Sequence, residues 1–155
     1  MEMDPKYVKL VHELTPKDIA SICDHTFLWR TESFRKETPK GTSAVDYKNQ
    51  QLEFFLEDTV SGPLKPYSVC VRPEEVRKVR DYLDNNDAKE IKVAAVVGFP
   101  EGDYPTDLKV YETKWAIGEG AVELDPVMNY KTLLAGDMDY VRADVERVCY
   151  TAYEE

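Results

Sequence analysis

A few residues of this 155-residue chain carry polar chemistry into apolar surroundings. They are Asp24, His25 and Thr26 in "IASICDHTFL", Cys70 in "YSVCVRP", and Asp125 in "GEGAVELDPV". A carboxylate in an apolar strand is costly unless it is paired or used. Two aspartates in such settings are therefore candidates for holding or moving a proton. Each also has a plainer reading. Asp125 could cap backbone amides at a strand end, Asp24 could accept a structural hydrogen bond, and Cys70 could be a small core residue. His25 reads as structural, because strand alternation turns it away from its two neighbours. Lys109 and Lys131 could in principle supply an amine. Both are expected to be solvated, and neither is taken as a nucleophile.

The elements that must position these residues follow from periodicity. Thr15 reads as a helix N-cap with Pro16 in the first turn, after a helical or frayed lead-in over residues 1–14. The polar stretch Arg30–Lys48, with Pro39 and Gly41, reads as an exposed insertion or loop. Helices are expected in "DYKNQQLEFFLEDTV", with Leu52, Phe55 and Leu56 on one side, and in "PEEVRKVRDYLDNN", with Val76, Val79 and Leu83 inward. A third, "PTDLKVYETKWAIGEG", should turn Leu108, Tyr111 and Trp115 inward. A fourth, "DMDYVRADVERVCYTAYEE", should bury Met138, Val141, Val145, Val148 and Ala152. Strands are expected near residues 20–28, 67–71, 91–99 and 121–128, and "IKVAAVVGF" is apolar enough to be covered on both faces.

This βα alternation demands a parallel sheet with right-handed crossovers. Two architectures fit: an open doubly wound sheet, or the first half of a (β/α)8 barrel. In both, function gathers where strands end. Asp24, His25 and Thr26 are expected there for strand one, Cys70 and Arg72 for strand two, Gly98, Phe99 and Pro100 for strand three, and Asp125 with Asn129 for strand four. Pro126 removes a ladder donor, so strand four is expected to end or bulge at Asp125.

Composition narrows the function. With 20 Lys+Arg against 30 Asp+Glu, the formal charge is -10, which disfavours phosphate backbones and anionic lipid surfaces. Neither a nucleic-acid nor a membrane partner is expected. Cys23, Cys70 and Cys149 show no CxxC or metal-ligand spacing, which points to reduced thiols and a cytoplasmic setting. His12 and His25 are too few and too scattered for a histidine-based zinc site, so no metal is assigned. No signal peptide is expected, since no apolar run follows a basic start. "GFPEG" lacks the GxGxxG nucleotide fingerprint.

In order, "IASICDHTFL", "YSVCVRP", "AAVVGFPEGDYPTDLKVYETKWAIGEGA", "ELDPV" and "LLAGDMDYV" resemble the deoxyribose-phosphate aldolase family of class I aldolases. The resemblance covers roughly residues 18–150, apart from Arg30–Lys48. It implies a (β/α)8 barrel of which 1–155 form a single partial domain of about four βα units. It also implies retro-aldol cleavage of 2-deoxy-D-ribose 5-phosphate through a lysine Schiff base, with no metal or organic cofactor. By the same resemblance Asp125 belongs to the proton relay and Asp24 pairs with a lysine of that cluster. Thr26 lines the pocket, and Cys70 lines the substrate cavity without being the nucleophile.

One departure is large. The family's Schiff-base lysine and phosphate-binding loops lie on later strands and have no counterpart in these 155 residues. The expectation is an N-terminal half that works within a complete barrel, associating as a homo-oligomer or through its open sheet edges. The alternative is a truncated, non-catalytic relative that acts as a protein-interaction module.

Overall fold

The computed structural model describes residues 13–155. The expected lead-in therefore falls almost wholly outside the described residues. Helix α1 (Pro16–Ala20) opens on the anticipated cap: the Thr15 hydroxyl accepts from the Asp18 amide, and the Asp18 carboxylate accepts from the Thr15 amide in return. Strand β1 (Asp24–Phe27), helix α2 (Ala44–Ser61), strand β2 (Ser68–Val71) and helix α3 (Val76–Asn85) follow. Strand β3 (Lys92–Val97), helix α4 (Thr106–Gly118) and strand β4 (Glu123–Pro126) come next, then a short helix α5 (Tyr130–Leu134) and helix α6 (Met138–Glu154).

The strands pair in parallel in the order β1-β2-β3-β4. A doubly wound sheet reverses its strand order at a switch point. Four strands in sequential order with helices between them are an arc of a (β/α)8 barrel. Register and alternation then sort the side chains. Val69, Val71, Val93 and Ala95 join the large cluster under the helices, with Leu52, Leu56, Val76, Val79 and Leu83. Cys70, Ala94 and Val96 form a separate small cluster on the other face, with Leu28 and Phe99 against it. That second face is the barrel interior, and the polar candidates lie on it.

The span Arg30–Lys48 is more structured than an exposed loop. It holds a 3-10 turn at Thr31–Phe34 and the first turns of α2, capped by Ser43. Phe34 is buried and packs edge-on against Tyr47. Lys48 is buried too, ion-paired to Glu75 at 2.5 Å.

Helix α4 reverses an expectation. Leu108, Tyr111 and Trp115 are exposed, at 42%, 62% and 38%, while Lys109, Thr113 and Ala116 are buried. The helix turns its narrow polar stripe inward because Lys109 finds an ionic partner there. Lys109, expected to be solvated, donates from Nζ to Asp144 Oδ2 at 2.5 Å and to the Val127 carbonyl at 3.0 Å. In α6, Val141 and Val148 are buried as expected, but Met138 is 54% exposed at the helix start.

Candidate active site

Strand β1 is shorter than expected and shifts one candidate. Asp24 is its first residue rather than part of its C-terminal end, because the chain before it turns through Ser21 and Ile22 after α1. Its carboxylate accepts from the Ser68 hydroxyl at 2.6 Å, across the β1–β2 pair. Thr26, two residues on, pairs in register with Cys70, and Cys70 with Ala94. Ala94 in turn stands opposite Glu123, and Val96 opposite Asp125. Asp24, Thr26, Cys70, Glu123 and Asp125 thus share the interior face, and β1, β2 and β4 each contribute.

The electrostatics agree with that placement. The Cys70 thiol is pushed up to about 12, first by burial and then by the nearby Asp125, Asp24 and Glu123 carboxylates. A thiol held protonated is a poor nucleophile. The same three carboxylates are close enough to act on one sulfur, which measures how tightly the acidic groups are gathered. Glu123 was not singled out from the sequence, although its i, i+2 relation to Asp125 places both on one strand face. Its Oε2 is buried without a hydrogen-bond partner.

Pro126 disturbs the ladder just past Asp125, not at it. The Val122 amide donates to Val93 O and the Val127 amide to Val97 O. Five steps along β4 therefore match four along β3, and the extra residue is accommodated at Pro126, which has no N–H to donate. Asp125 itself stays in register with Val96. Asn129 is buried and caps α5, accepting from the Thr132 amide at 3.1 Å.

The "GFPEG" loop after β3 is held from several sides. The Gly98 amide donates to Glu112 Oε2 at 2.7 Å, and the Gly102 amide returns to Gly98 O at 2.8 Å. The Phe99–Pro100 peptide is cis. Gly98 needs its positive φ of 70°, and a Cβ there would lie 2.9 Å from Lys109 Cε.

His25 lies on the opposite face, as expected. Its ring stacks on Phe55 at 4.0 Å, and Nδ1 is 2.7 Å from Thr59 Oγ1. That hydroxyl already donates to Phe55 O, so the imidazole carries its proton on Nδ1 and donates. Lys131 is exposed, as expected, and bonded to Asp103 at 2.9 Å with Glu101 at 3.4 Å. The Asp103 hydrogen bond raises its ammonium above the usual lysine value, the reverse of what an attacking amine needs. Lys109 is sealed under β4 by Asp144. Among the described residues no cluster of His, Cys, Asp or Glu is placed to hold a metal ion, and no helix is long and apolar enough to cross a membrane.

With this geometry in hand, comparison with known proteins points one way. No family model matches the chain. A deoxyribose-phosphate aldolase of Thermococcus gammatolerans is 46% identical over 89 residues, 57% of this chain and 39% of the relative. One from Caldicellulosiruptor saccharolyticus is 33% identical over 135 residues, covering 87% of this chain and 52% of the relative. Among solved structures, a protein assigned as a deoxyribose-phosphate aldolase from Coccidioides immitis superposes with a TM-score of 0.66 at 34% identity, over 87% of this chain and 46% of that one. An aldolase designated QR15 gives 0.65 at 28% identity, over 86% of this chain and 51% of that one. The chain spans about half the length, or less, of the curated relatives it matches. By sequence and by fold its homologues are deoxyribose-phosphate aldolases, and its sheet matches a part of their barrel.

Proposed function

We propose that this chain supplies the first four βα units of a deoxyribose-phosphate aldolase and, with them, the acidic side of its active-site mouth. The observation that carries the reading is the convergence of Asp24, Cys70 and Asp125 from three strands onto one interior face. In the proposed reaction a lysine amine from the complementary half condenses with the C1 aldehyde of 2-deoxy-D-ribose 5-phosphate. Asp125, through a water, accepts the proton of the C3 hydroxyl. The C2–C3 bond then breaks, its electron pair passing into the iminium to leave an enamine. Glyceraldehyde 3-phosphate departs, and protonation and hydrolysis of the enamine release acetaldehyde and restore the amine. Asp24 holds an ammonium in the relay, while Thr26 and the protonated Cys70 line the cavity. No metal or organic cofactor takes part.

The complementary half needs a seat, and the β4 edge offers one. An apolar groove of about 590 Å3 runs between β4, α4 and α6, lined by Ile117, Val122, Leu124, Pro126, Val148 and Ala152. Val122 is 70% exposed and Leu134 83%, an exposure that further βα units would remove. A relative from Aeropyrum pernix is described as tetrameric, and we extend the proposal to assembly of the completed barrel into an oligomer.

The test is reconstitution. The chain is mixed with a polypeptide carrying four further βα units and the family's lysine, then treated with acetaldehyde and borohydride. Trapping should label that lysine, and Asp125→Asn should slow retro-aldol turnover by about 100-fold, the usual scale for a lost proton-transfer group. Stoichiometric labelling of one lysine in the isolated 155-residue chain would overturn the assignment.

A further inference from the structure

Two arginines meet at the C-terminal rim of the sheet, on the same face as the carboxylates. Arg72 follows β2 in extended backbone, φ -77° and ψ 153°, so the alternation that turns Ser68 and Cys70 inward turns Arg72 into the mouth as well. Arg30, also extended at φ -87° and ψ 159°, comes from the segment after β1. Nη2 of Arg30 donates to the Phe99 carbonyl at 3.3 Å and to the Tyr104 hydroxyl at 3.2 Å. Nη2 of Arg72 donates to the same carbonyl at 3.4 Å. Its guanidinium lies 5.5 Å from the centre of the Phe99 ring.

These contacts leave the cations under-satisfied. Arg72 is only 8% exposed, and its Nε and Nη1 are buried with no hydrogen-bond partner. One carboxylate approaches: Glu74 Oε1 sits 3.3 Å from Nε, without the alignment of a hydrogen bond, on a side chain 43% exposed. Arg30 has no carboxylate partner among the described residues. Beyond the exposed Glu74, the two guanidiniums reach only neutral acceptors, the Tyr104 hydroxyl and a Phe99 carbonyl that also accepts from that hydroxyl at 3.4 Å, and buried donors without partners call for an occupant. A guanidinium presents five donors in a planar fork matched to carboxylate or phosphate oxygens. The setting is suited to a ligand: Phe99, with Thr26, Leu28 and Trp29, walls a cavity of about 380 Å3. In a chain of formal charge -10, this pair is a local reversal of sign at the strand ends where barrels bind substrates.

We infer that Arg30 and Arg72 form an anion-binding site above Phe99, which takes the phosphate monoester or carboxylate of a small-molecule ligand. This site is separate from the phosphate-binding loops that the aldolase reading places on later strands, and anion binding here does not rest on that reading.

The experiment titrates inorganic phosphate, and separately acetate, into the purified 15N-labelled 155-residue chain at low ionic strength, with chloride at matched ionic strength as control. Saturable shifts are expected at the Phe99 amide and the Arg72 Nε–H with at least one of the two anions. Response to phosphate alone identifies a phosphate monoester, and response to acetate as well identifies a carboxylate. Arg72→Gln should weaken binding by about tenfold or more, the scale of a lost charge-assisted hydrogen bond. Arg72→Lys should fall between, keeping the charge but not the fork. Arg30→Gln, at an exposed position, gives the same readout if the buried substitution unfolds the chain. The proposal is overturned if neither anion saturates, if chloride gives equal shifts, or if both glutamine variants bind like the parent.

Discussion

One buried ammonium ties three elements together: Lys109 Nζ, at the start of α4, lies 2.5 Å from Asp144 Oδ2 on α6 and 3.0 Å from the carbonyl of Val127, just beyond β4. Both side chains of the ion pair are 1% exposed, and Thr106 Oγ1 donates to the second Asp144 oxygen at 2.7 Å. Removing one partner strands the other charge. Lys109→Met is therefore expected to cost about 3–5 kcal/mol, read from urea unfolding. The double variant Lys109→Met/Asp144→Leu should recover most of that loss. A single-variant cost below about 1 kcal/mol would contradict the sealed pair, because the cost of an uncompensated buried charge is several-fold larger.

Burial lowers the His25 imidazole from its ordinary value, with Asp58 opposing in part. The folded chain therefore binds fewer protons than the unfolded one around and below the reference value of 6.5. The stability that His25 contributes is present above that value and is lost as pH falls through the lower, folded value. Thermal melts between pH 8 and pH 5 should show a stability loss for the parent that His25→Phe reduces. Equal pH dependence in both proteins would remove His25 as its source.

Cys70 predicts the opposite pH behaviour. Its thiol is raised from 9.0 to about 12, so its contribution is present below 9.0 and is lost as pH rises toward the folded value. At pH 8 an alkylating reagent should modify the exposed Cys23 and Cys149 and leave buried Cys70 untouched, as mass spectrometry of peptides will report. Because Asp125 is the leading carboxylate behind the shift, Asp125→Asn should make Cys70 react measurably faster. No change would mean that Asp125 does not face the sulfur.

The two glycines of the loop after β3 should differ in tolerance. At Gly98 (φ 70°) an added Cβ meets the flexible Lys109 side chain, whereas at Gly102 (φ 67°) it falls 2.1 Å from the Met128 carbonyl oxygen. Both alanine variants are strained, by more than about 1 kcal/mol. Gly102→Ala should be clearly the worse, since backbone must move, and differential scanning calorimetry will rank them.

Much of this was legible in the sequence, for a physical reason. β3 is a continuous apolar run, and Val76, Val79 and Leu83 keep helical spacing, so local patterning and tertiary burial agree there. Patterning fails where a polar group is buried by a partner far along the chain. Lys109 looks solvated until Asp144, 35 residues later, is brought beside it. The outward face of α4 follows from the same pairing. Phe34 is a lone aromatic in polar sequence, visible as core only once Tyr47 and Phe27 surround it. In the candidate site, the shared face of Asp24, Thr26, Cys70 and Asp125 could be anticipated from motif and strand position. Glu123 and the convergence of Arg30 with Arg72 depend on register between strands, which a single strand does not encode.

The two carboxylates proposed for the relay, Asp24 and Asp125, ride on β1 and β4, the outermost strands of the sheet, whereas Cys70 sits on the flanked strand β2. A strand held on one side can twist and fray more freely than one held on both. The spacing between Asp24 and Asp125 is therefore a mechanical property of whatever closes the sheet, not of these strands alone. Closing the barrel would then tune the proposed relay by clamping its two supports, and a loose fit along either edge would register first as blurred proton transfer, before any loss of fold.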